Sequence, residues 1–134
     1  MIRRAWLALL LVGAAPLPAP APGGCPLTIA PAETVAVDGW SSVATRGTVD
    51  RRLSGVGFSD GDPANRVYLA PDSTTTARGG RTERYDFRVP SLSAVWVLCQ
   101  YDGSALSLAR ATGWKGKVCT LNYRGAVPSA LTCR

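Results

Sequence analysis

Four cysteines are the residues whose chemistry is most tightly constrained. Cys25, Cys99, Cys119 and Cys133 show no Cys-x-x-Cys spacing, and the chain contains no histidine. Zinc sites draw on closely spaced cysteines and on histidine, so no metal ligand set is expected. In a small exported chain an even set of thiols reads as disulfides, of which four cysteines allow three pairings. The pairs expected are Cys25 with Cys99 and Cys119 with Cys133. The second pair lies symmetrically about Ala126, in the turn-like stretch 124–129, so a hairpin would set the two side by side.

The lack of histidine also removes the Ser-His-Asp and Cys-His arrangements, leaving proton transfer to a perturbed carboxylate, lysine or tyrosine. Asp60 and Asp62 are a candidate carboxylate pair, but they sit in Ser-Asp-Gly-Asp-Pro-Ala-Asn (59–65), a run of turn formers. With Asn65 they lack the glycine and distal glutamate of an EF-hand loop. Thr112-Gly-Trp-Lys115 has threonine where a nucleophile-x-x-Lys motif uses serine, and it reads as a loop instead of a helix start. No catalytic residue, metal or cofactor is therefore expected. Trp114, Lys115 and Lys117 are the candidate partner-binding residues, because an aromatic set among glycines beside cations has the composition of recognition surfaces. The competing reading folds Trp114 over a sheet end while the lysines reach into water.

The elements that must position these residues read as strands. Over 95–134 Val, Trp, Leu, Tyr and Thr crowd into short runs separated by turn formers, the pattern of an antiparallel meander. Asp102-Gly103 suits a tight turn joining the run that ends at Tyr101 to the one that begins at Ala105. Upstream, the proline-bounded stretch 25–31 suits an edge strand and 35–40 a second strand ending at Trp40, expected to cover one end of the core. Residues 52–58 and 66–70 read as strands, with the glycines of the first marking a bulge. Residues 73–81 read as a mobile polar loop. In 82–89 the alternation turns Tyr85, Phe87 and Val89 inward and Arg84, Asp86 and Arg88 to water. The fold class expected is mainly β: one antiparallel, meander-rich sandwich or flattened barrel tied by two disulfides.

The chain of 134 residues begins with Arg3 and Arg4, an apolar run from Ala5 to Ala15, then small residues and prolines. That is the layout of a secretory signal, expected over 1–23, and it is shorter than the about 20 apolar residues of a membrane span. One domain, 24–134, remains for the periplasm or the extracellular space; lipidation at Cys25 is the weaker alternative. Setting aside Arg3 and Arg4 lowers the net charge from +6 to +4, with the cations dispersed. That excludes a nucleic-acid signature and favours an acidic protein partner in the periplasm over a basic one.

Cys25-Pro26, Trp40, the turn from Asp60 to Pro63, Leu69 to Asp72, Tyr85 to Phe87, Trp96 to Tyr101, Leu106 to Leu108, Cys119 and Cys133 follow one another in an order that resembles an uncharacterised family of small exported proteins of Gram-negative bacteria. The resemblance covers nearly all of 24–134; the departure is the polar 59–63, which is aromatic-rich in that family. It implies export, disulfides and a β fold, without a reaction. The function expected is a non-catalytic binding, inhibitory or immunity-type module. The alternatives are an envelope structural component and, behind it, a histidine-independent hydrolase.

Overall fold

The computed structural model describes residues 22–30, 38–39, 42 and 50–134. The export signal expected over 1–23, apart from its last two residues, lies outside them, as do Trp40 and most of the strand expected over 35–40. The described residues form nine strands: β1 (Thr28–Ile29), β2 (Arg51–Asp60), β3 (Tyr68–Leu69), β4 (Ser73–Ala77), β5 (Gly80–Asp86), β6 (Val95–Tyr101), β7 (Ser107–Ala111), β8 (Val118–Arg124) and β9 (Val127–Cys133). One sheet runs β1-β2-β6-β7 with β3 also against β2, and the other runs β4-β5-β8-β9. Every pairing is antiparallel. Among the described residues no helix is long and apolar enough to cross a membrane.

The two sheets close on a single apolar layer. Period-2 alternation turns Val56 and Phe58 of β2, and Val97 and Cys99 of β6, toward Tyr85 of β5 and Cys119, Leu121 and Tyr123 of β8. Phe58 is the centre: its ring meets Tyr85 at 4.6 Å, Phe87 at 5.2 Å and Trp114 at 6.1 Å, each edge to face. Leu98 is buried too, yet it points away from this cluster, because a neighbour in sequence on a strand faces the opposite side.

Both expected disulfides are present, Cys25 to Cys99 and Cys119 to Cys133. The second joins residues directly opposed in the β8–β9 register, next to the Leu121–Leu131 pair. The first ties the chain's early segment to β6. There Tyr101 Oη donates to the Pro26 carbonyl at 2.9 Å and Arg110 Nη2 to the Gly23 carbonyl at 2.8 Å, so the stretch around Cys25 is a strap held at both ends.

Four expectations need correction. The 95–134 meander divides between the sheets: β6–β7 belongs to the first and β8–β9 to the second. β6 and β8 are central strands, buried enough to require a partner on both edges, and those partners (β2 and β5) come from far upstream. The polar stretch 73–81 is an ordered hairpin, with Ala77 opposite Gly80 and a two-residue turn at Arg78-Gly79, where Gly79 adopts φ 87°. Its consecutive threonines favour extended backbone even without an apolar alternation. Val89 is 45% exposed, because β5 stops at Asp86, whose carboxylate accepts from the Arg88 amide and turns the chain away. Finally, the strand expected over 66–70 shrinks to Tyr68–Leu69, since Arg66 caps the turn Pro63–Asn65 in the left-handed region.

The bulge expected in 52–58 is there, as a register shift between Leu53 and Gly55. Asp102-Gly103 does turn the chain, with Ser104 N–H donating to the Tyr101 carbonyl at 3.2 Å. The hairpin is wider than expected, because the next strand starts at Ser107.

Candidate functional site

Loop 112–117 is where the chain passes from one sheet to the other, and it is fastened to both. Thr112 donates to the Val95 carbonyl through its N–H at 2.9 Å and its hydroxyl at 2.8 Å, which anchors the loop to β6. Gly116 N–H donates to the Phe87 carbonyl at 2.7 Å, and Phe87 N–H donates back to the Lys117 carbonyl at 2.8 Å, which anchors it to the end of β5. Trp114 is partly buried between these anchors, packed on Phe58 and on the core. Lys115 and Lys117 are exposed. Of the three residues singled out from sequence, then, two lysines project into solvent and the tryptophan faces the core.

The acidic turn 60–65 shares this end of the sandwich. Asp60 closes β2, and its Oδ1 accepts from Ser93 N at 2.7 Å, Ser93 Oγ at 2.6 Å and Ala94 N at 3.2 Å, clamping the strand to the segment that enters β6. Hydrogen bonds from the Ser93 hydroxyl and amide hold the Asp60 carboxyl below its ordinary range, and Lys115 adds a smaller attraction of the same sign. Asp62 accepts from Ala64 N at 2.9 Å as the cap of the turn Pro63–Asn65. Each acid thus has a structural partner of its own. Among the described residues no three acidic or cysteine side chains gather as metal ligands do.

Sequence reasoning missed a second polar constellation, at the inner face of β5. Glu83 accepts from Arg81 Nε at 2.8 Å and from Tyr85 Oη at 2.9 Å, and the Arg81 guanidinium lies 3.7 Å above the Tyr123 ring. Burial, reinforced by Glu83, pushes the Tyr85 hydroxyl far above its ordinary pKa, and burial pushes Tyr123 the same way. The signal was in the alternation: Arg81 and Glu83 have the same parity as Tyr85 and Phe87 and must share their face. A neutral phenol bonded to a carboxylate and an arginine stacked on a second ring form a satisfied network that closes the sandwich edge.

Two disulfides, a core one ring deep and loops fastened at both ends define a small braced β-sandwich that presents fixed loops, an architecture suited to binding. The chain belongs to the type VI secretion system Tli immunity protein family, whose model matches residues 46–134. It is an immunity-type module, and the protein partner implied by that family is a toxin. No curated protein and no solved structure matches the chain. The matched stretch holds both sheets except β1, and with it loop 112–117 and three of the four cysteines.

Proposed function

We propose that this protein is an exported, non-catalytic immunity module of the periplasm that binds a type VI secretion toxin and blocks it by occupancy. The observation that carries the reading is the family match over 46–134, which takes in the strands and loops that form the rigid frame. The two disulfides suit an oxidising compartment, and the signal-like N-terminus supports the same location. Lys115 and Lys117 reach the partner from loop 112–117, while Trp114 holds that loop against the core. A cationic contact favours an acidic toxin surface, since complementary charge speeds encounter and rejects wrong partners.

Co-expression tests this directly. Among cells that each export one type VI secretion toxin, those carrying the cognate toxin should survive when the full chain is supplied, and a pull-down from their periplasm should recover the two proteins as one complex. The double substitution K115E/K117E should weaken recovery without lowering the thermal midpoint. Toxin death unrelieved by the oxidised, correctly exported chain would overturn the immunity reading. Recovery insensitive to K115E/K117E would remove only those lysines from the contact.

A further inference from the structure

The opposite end of the second sheet carries a feature that the immunity reading does not use. The β4–β5 turn and the β8–β9 turn lie side by side, joined by a bond from Gly125 N–H to the Gly79 carbonyl at 2.7 Å. Between them Gly80 passes so close to the Tyr123 carbonyl oxygen that a Cβ there would overlap it. Beside this close approach lies a shallow, open groove of about 320 Å³.

The groove's lining includes Arg78, Arg81 and Arg124 and contains no carboxylate. Glu83 meets Arg81 from the inner face of the sheet. Register places Thr82 and Asn122 on the outer face with Gly80 and Arg124. Thr82 Oγ1 donates to Asn122 Oδ1 at 2.8 Å, so the Asn122 NH2 remains to donate. At the other end of the same sheet Arg84 and Arg88 both engage Asp86, so part of their charge is met there. Arg81 is already paired with Glu83, so the charge that meets an occupant of the groove is that of Arg78 and Arg124. The groove's donors, guanidinium forks and an amide NH2, are those that grip carboxylates in two-point fashion.

We propose that this groove is a second contact for the toxin, resting on the immunity reading, and that its occupant is an extended acidic segment whose carboxylates lie between Arg78 and Arg124. The groove is too small for a folded domain but has room for side chains from one strand or loop. Its walls are two turns locked by a backbone bond, so little ordering is required on binding.

The test uses the mature, oxidised protein with two probes: a hexaglutamate peptide followed by amide NMR shifts, and the type VI secretion toxin relieved in the co-expression assay followed by calorimetry. The peptide should shift Gly79, Gly80, Asn122 and Arg124 first. R78E/R124E should abolish those shifts and weaken toxin binding about 30-fold or more, as repulsion replaces attraction at both walls. R78Q/R124Q should give an intermediate loss at an unchanged thermal midpoint. Toxin binding as tight in R78E/R124E as in the parent, with peptide shifts elsewhere, would overturn the groove and leave the immunity reading standing. Peptide shifts in the groove without any toxin binding would overturn the immunity reading and the toxin contact with it, leaving only a groove that takes acidic segments. Binding to phosphatidylglycerol vesicles that R78E/R124E removes, with no peptide response, would overturn the proposal by assigning the groove to a membrane surface.

Discussion

At the scale of single residues, the acids of this protein act as fasteners. Asp60 receives three donors from Ser93 and Ala94, and Asp86 receives Arg88 in two-point fashion with Arg84 close by. These hydrogen bonds and charges hold both carboxyls below their ordinary pKa. The sign of the linkage follows. An acid whose folded pKa is depressed contributes stability above its unfolded pKa of about 3.9, and that contribution is lost as pH falls through the folded value. The urea midpoint should therefore be level near neutrality and decline below about pH 4. Asp60→Asn should have a lower midpoint at neutral pH and a shallower decline; a midpoint equal to the parent's at every pH would show that the Asp60 clamp contributes nothing. The sequence marked 59–65 as a turn but did not reveal this clamp, because Ser93 lies 33 positions away from Asp60. Trp114 was legible as one of two outcomes, and the core face is where its ring lies. Its neighbour across the core, Phe58, comes from another strand far upstream, so no local pattern could decide between them.

At the scale of elements, alternation served well wherever one face is apolar. The strands at 82–86, 95–101 and 118–124 follow from it, and so does the symmetric placing of Cys119 and Cys133, but the last strand begins at Val127, inside the stretch 124–129 read as a turn. It failed over 73–81, where Ser-Thr-Thr-Thr-Ala offers polar side chains on both faces and only β-branching speaks for a strand. It also gave no sheet membership, which depends on pairing with β2 and β5. The hairpin that was missed has a checkable dependence on its glycine. Gly80→Ala sets a methyl group against the Tyr123 carbonyl, a backbone atom that cannot swing aside, and should cost about 1–3 kcal/mol in urea unfolding. Gly55→Ala makes a somewhat longer contact, still inside van der Waals distance, with the Gln100 amide oxygen, the far end of a flexible side chain that can rotate away. It should cost less than about 1 kcal/mol. Equal losses at the two sites would mean that the approach of β5 to β8 is not the constraint described.

At the scale of the whole molecule, a sandwich this small relies on its covalent braces, since a short chain buries a limited share of its surface. Loop entropy ranks the two. The Cys25–Cys99 bridge spans 74 positions and the Cys119–Cys133 bridge spans 14. Their contributions are about 4 and about 3 kcal/mol in the chain-entropy model. C25S/C99S should therefore lower the thermal midpoint more than C119S/C133S, and reduction of the parent protein should lower it more than either. The reverse ranking would place the main brace in the terminal hairpin instead of the strap.

The strap has a further consequence for how the molecule is made. Its cysteines join first to second and third to fourth along the chain, with none between Cys25 and Cys99. For a polypeptide threaded into an oxidising space from its N-terminus, each thiol thus finds its native mate as the next one to emerge, and no reshuffling catalyst is needed to sort them. On the proposed export route, copies still in a reducing cytosol would lack both bridges, so shielding would begin with arrival outside and not with translation.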